Sequence, residues 1–140
     1  LNGRTLESLQ QCLGSVPLSG RPDVDLLAQA KAYLDFLECH PRLWEMLFNY
    51  RLAPETLLPD WFTAHINQAL AHVEAALAPL FKSSQQAQKS EAALVLWAGL
   101  HGIGSLAAEG KLAIVTVQSA NQLAESLIIH FVAGLAVKGA

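Results

Sequence analysis

The sequence predicts an all-α protein, an antiparallel bundle of about six helices, and three observations carry that reading. Apolar residues recur at three- and four-residue spacing along most of the chain. The stretch Leu94–Leu106 lies in a segment with no charged residue between Glu91 and Glu109, and its Ala and Leu content reads as helix despite three glycines. The β-branched run Leu112 to Val117 has no second strand to pair with anywhere in the chain.

Taken in order, Leu1 to Leu13 sets Leu6, Leu9 and Leu13 on one face and stops at Gly14. Ser15 to Pro22, with two prolines and a glycine, is a loop. Asp23 is placed to cap the next helix, whose stripe is Leu26, Leu27, Ala30, Tyr33, Leu34 and Leu37, and Pro41 stops it. His40-Pro41 then opens a short helix with Leu43, Trp44, Leu47 and Phe48, since proline is welcome at the first helical position. Tyr50 to Leu58, which holds Pro54, is a connector. Pro59 opens what reads as the longest regular element, carrying Phe62, Ile66, Ala69, Val73, Ala76 and Leu80. Lys82 to Ser90 is a solvated loop or frayed helix start. After the central helix Gly110 stops the chain, and Leu112 to Val117 is an extended connector. Ser119 with Gln122 forms a capping box for a last helix with Leu123, Leu127, Phe131 and Leu135.

At 140 residues the chain has room for one domain with a real core. Apolar residues make up 52% and charged residues only 15%, which leaves too little polar surface for a comfortable monomer and points to burial against a second copy. Nine Lys and Arg stand against twelve Asp and Glu, with no basic cluster, so this stretch does not bind nucleic acid by itself. Two cysteines without CxxC spacing fit a reducing, cytoplasmic setting. The opening at Leu1 without a Met or a signal pattern reads as a fragment of something longer. The uncharged run Ala92 to Ala108 falls short of the ~20 residues a bilayer requires, so a buried helix is expected and no membrane partner.

A helix without charges must be buried nearly all round. Ala93, Leu96, Leu100, Ile103 and Ala107 follow the helical repeat, and Trp97 with His101 form an i, i+4 pair on a neighbouring face. Gly99, Gly102 and Gly104 each cost roughly 1 kcal/mol against Ala, which close approach of another backbone would offset. Burial on every side uses more partners than so short a chain supplies, which suggests a subunit interface.

No catalytic constellation is visible. His65 and His72 are two helical turns apart, too far for one metal ion, and no acidic residue stands at i±3 or i±4 of His65 or His101. Cys39 and His40 point about 100° apart on a helix and form no dyad. The glycines lack the preceding strand and following Lys-Ser/Thr of a phosphate loop. Neither enzyme activity, metal nor cofactor is expected. The aromatics Tyr33, Phe36, Trp44, Phe48, Trp61, Phe62 and Trp97 either fill the core or wall a cavity in which Tyr33, His65 or His101 supplies the few polar contacts that a small, mostly apolar ligand needs. Whether Trp97 faces the cavity or a neighbouring subunit stays open.

Leu96-Trp97-Ala98-Gly99-Leu100-His101-Gly102 resembles the tryptophan/histidine-glycine signature of the C-terminal, WHG-type domain of TetR-type transcriptional repressors. Tyr33 to Trp44, with its His40-Pro41 junction, resembles the family's stretch before a short aromatic helix. The resemblance implies an effector-sensing, homodimerising domain whose DNA-binding helix-turn-helix half lies upstream, with residues 1–13 as the linking helix. It also implies a four-helix dimer interface from the central and last helices, with Leu96, Gly99, Ile103, Leu127, Phe131 and Gly134 as candidates. The family's inducers are chemically diverse, so the identity of the effector does not carry over. The alternative is a helical small-molecule carrier or interaction domain with no DNA-binding half.

Overall fold

The computed structural model describes residue 8 and residues 11–40 and 60–139, without the side chains of residues 60–63, 65, 66 and 136–139. All regular structure among them is helical. Most of the expected first helix lies outside the described residues. Its end is seen at 11–14, where Leu13 enters the core and Ser15 Oγ donates to the Cys12 carbonyl at 2.8 Å. Gly14 lies against the His72 ring: a Cβ there would stand 3.1 Å from Cε1, so only glycine fits without displacement.

Helix α1 (Pro22–Cys39) starts with proline in its first turn. The expected cap is corrected. Arg21 holds the N-cap position with extended backbone and no side-chain cap bond, while Asp23 makes only an exposed 3.5 Å ion pair with Arg21. Asp25 turns back on the loop instead, accepting from Ser19 N at 3.0 Å (Oδ1) and 3.1 Å (Oδ2) and from Ser19 Oγ at 2.8 Å. The helix ends before Pro41, with the His40 N–H on the Leu37 carbonyl at 3.1 Å. The expected short helix from Pro41 lies outside the described residues.

Helix α2 (Asp60–Leu77) begins directly after Pro59, and two 3-10 turns (Ala78–Leu80 and Ser83–Gln85) reverse the chain into α3 (Gln86–Ala108). At 23 residues α3, rather than α2, is the longest helix described, and it takes in the end of the stretch read as a solvated loop or frayed helix start. Gln86 Nε2 and Ser90 Oγ donate to Glu74 Oε1 at 3.0 and 2.9 Å, clipping the start of α3 to α2. Gly110, at φ 72°, closes α3. The N–H of Gly110 bonds Ala107 O (3.1 Å) and that of Lys111 bonds Leu106 O (2.9 Å), the paired pattern of a glycine-terminated helix.

The expected extended connector at Leu112 to Val117 is corrected to a short helix, α4 (Leu112–Val115), with extended backbone only from Thr116. Burial of Leu112 outweighs the strand preference of its β-branched neighbours, whose side chains Ile114, Val115 and Val117 face solvent. Helix α5 (Ala120–Gly139) carries the expected capping box: Ser119 N donates to Gln122 Oε1 at 2.8 Å and Gln122 N to Ser119 Oγ at 3.1 Å.

Helices α1, α2, α3 and α5 pack on one another around a core to which each contributes one large, wholly enclosed side chain: Leu26, Leu77, Leu96 and Ile128. Where α3 meets α5, Gly99 receives Leu127; a Cβ at Gly99 would stand 3.0 Å from Cδ2, so the glycine's helix cost is offset by close packing within the subunit. Leu96→Ala should lower unfolding free energy by about 2–5 kcal/mol, and Gly110→Ala by about 1 kcal/mol through its left-handed backbone. Urea denaturation at fixed protein concentration measures both.

Candidate functional site

The inward face of α1 carries a polar ladder. Asp25, Gln29 and Tyr33 follow one another at i, i+4 and are 3%, 4% and 5% exposed, embedded among Leu26, Ala30, Leu34 and Leu37. Ser19 saturates Asp25. Gln29 reaches α2, where its Nε2 donates to the His72 carbonyl at 3.0 Å. Tyr33 reaches α3, where the Trp97 side chain interacts with its hydroxyl.

Trp97 in turn stacks on His101, with ring centroids 5.7 Å apart and planes 10° from parallel, which is the i, i+4 pairing read from the sequence. Burial pushes the Tyr33 phenol well above its ordinary range, opposed only in part by the Trp97 bond, so it stays protonated. Burial also lowers the His101 pKa and favours the neutral imidazole. Tyr33, Trp97 and His101 together make an uncharged aromatic surface with polar edges, suited to an apolar molecule with few hydrogen-bonding groups.

The remaining candidates divide. Phe36 is half-buried but stacks on His40 at 4.1 Å, whose Nδ1–H donates to the Phe36 carbonyl at 2.8 Å, so it belongs to the end of α1. Trp44 and Phe48 lie outside the described residues, as do the side chains of Trp61, Phe62 and His65. Gln29 and Asp25 were missed by sequence reasoning; their signal was polar side chains at the spacing of a core stripe. Among the described residues no group of three or more His, Cys, Asp or Glu could hold a metal ion.

Within one subunit α3 is buried on one side only. Its inner face (Ala92, Ala93, Leu96, Leu100 and Gly104) is enclosed, but the opposite face carries Leu94, Val95, Ala98, Gly102 and Leu106, with Leu94, Val95 and Leu106 at 51%, 54% and 44% exposure. Ile129 on α5 is similarly exposed. The segment Ser83–Ala108 is long and apolar enough to cross a bilayer by length and composition, yet it forms one wall of the core.

This placement redraws the candidate interface. Leu96 is 1% exposed and enclosed in its own subunit, so it cannot reach a second copy. Gly99 and Leu127 pack on each other, Ile103 and Phe131 are half-buried, and Gly134 is exposed with open space around it.

The helices form an all-α bundle that closes one side of α3 and leaves the other apolar and uncovered. A family model described as "Tetracyclin repressor-like, C-terminal domain" matches residues 26–131, and the chain belongs to that family. The TetR-like C-terminal domain is the part of a transcriptional regulator that binds a small-molecule effector and dimerises. No curated protein matches the chain.

The lowered His101 pKa sets a sign for pH dependence. Its contribution to stability is full above the ordinary value of 6.5 and is lost as pH falls below it, because the unfolded chain takes up the proton first. Thermal unfolding from about pH 7.5 to about pH 5.5 should therefore lower the midpoint more in the unaltered protein than in His101→Gln.

Proposed function

We propose that this chain is the effector-sensing and dimerising domain of a TetR-like DNA-binding transcriptional repressor, in which ligand binding shifts the dimer away from its operator-competent arrangement. The observation that carries the reading is the uncovered, charge-free face of α3 opposite Leu96, in a chain whose family dimerises. On this reading residues 1–140 form one domain in the cytoplasm. Two copies bring their α3 and α5 helices together through Leu94, Val95, Ala98, Gly102, Leu106 and Ile129. The effector lies at Tyr33, Trp97 and His101.

Residues 1–13 link this domain to the reading heads. Those heads must meet half-sites about 34 Å apart, one turn of DNA, so a shift of a few ångströms at the linking helices is enough to release the operator. No bond is made or broken; the ligand acts by preferring one of two dimer arrangements.

Ala98→Glu tests the dimer step. The site is exposed within one subunit and glutamate is a good helix former, so the fold should survive. Two unpaired charges buried at the seam should weaken dimerisation at least about tenfold. Analytical ultracentrifugation decides, and an unaltered protein that is folded and monomeric at tens of micromolar would overturn the reading.

A further inference from the structure

Gln29 Oε1 is sealed from solvent and meets no donor among the described residues. Its orientation is set by its partner. The His72 carbonyl only accepts, so the amide nitrogen must point to it at 3.0 Å; the flipped amide would bring two carbonyl oxygens together. The orphan acceptor lies on the buried face of α1, beside the core to which Leu26 and Ala30 on α1 and Ala76 and Leu77 on α2 belong. A buried acceptor without a donor carries a standing free-energy cost, which any molecule bringing a donor would relieve.

The surroundings restrict what that molecule can be. Asp25, one turn away, has both oxygens occupied by Ser19, and α3 carries no charge from Ala92 to Ala108. Among the described residues, neither Asp25 nor α3 offers a charged ligand a partner to replace its lost hydration. Because the oxygen is enclosed, a donor reaches it only when the seam between α1 and α2 widens. The residue displaced by that widening is His72, whose carbonyl holds Gln29 and whose ring supports Gly14 at the end of the first helix.

We propose that the effector is a neutral, largely apolar molecule that places one N–H or O–H donor on Gln29 Oε1, and that it widens the α1–α2 seam to do so, moving His72 and with it residues 11–14. The inference rests on the effector-sensing reading above. It makes the ligand's differential affinity for the two arrangements depend on one hydrogen bond.

Matched probes test it: indole against 1-methylindole, and 4-butylphenol against 4-butylanisole, titrated by calorimetry into the unaltered protein and into Gln29→Met, which keeps side-chain length and loses the acceptor. The donor-bearing member of each pair should bind the unaltered protein at least about tenfold tighter, and the preference should fall to about twofold or less in Gln29→Met. Amide exchange over residues 11–16 should accelerate with the donor-bearing probe alone. Equal affinity within both pairs overturns the proposal without needing any variant, and leaves the effector-sensing reading intact. A preference that persists unchanged in Gln29→Met overturns the role of Gln29. Failure of all four probes to bind overturns this proposal and leaves the effector-sensing reading intact.

Discussion

The structure depends on α3 having two apolar sides and the subunit covering only one. Leu96 completes the core with Leu26, Leu77 and Ile128. The other side, 95 and 98 and their neighbours, carries no charge that would hold it comfortably in water. A globular helix ordinarily resolves this by placing charges on its outer face. Here the nearest ones are Glu91 and Glu109, at the margins of the uncharged segment. Only 28% of the segment's most apolar window is enclosed, so most of its apolar surface stays in contact with water.

The interior that α3 helps to form is unusual in how it handles polar groups. Tyr33, Trp97 and His101 are arranged so that each stays neutral, by burial for the phenol and imidazole and by chemistry for the indole. A low-dielectric site with neutral walls discriminates by shape and by single hydrogen bonds, because every unmatched polar atom is expensive there. That suits a family of ligand-binding regulator domains.

Much of the architecture was legible in the sequence because its signals are local. Ser119 and Gln122 form their reciprocal bonds three residues apart, Gly110 terminates α3 with a positive φ, and Trp97 and His101 meet because they are one helical turn apart. What could not be read depends on tertiary context. Periodicity shows which residues share a face but not whether that face looks inward, so Leu96 reads as well for an interface as for a core. The β-branched run after Gly110 has strand propensity, and burial of Leu112 overrides it. Asp23 reads as the cap in the sequence, yet no side chain caps α1, and the path of the loop brings Ser19 onto Asp25 instead. Gln29 is an ordinary helix residue until α2 is seen to offer it only a carbonyl.

The clasp between Asp25 and Ser19 also determines how stiff the approach to α1 is. Three short bonds to one enclosed carboxylate tie the loop to the helix it precedes, and Ser15 is itself bonded back to Cys12. A slack tether would absorb movement in its own torsions. A strut braced at both ends cannot, so tilting α1 must drag the preceding backbone along as one lever.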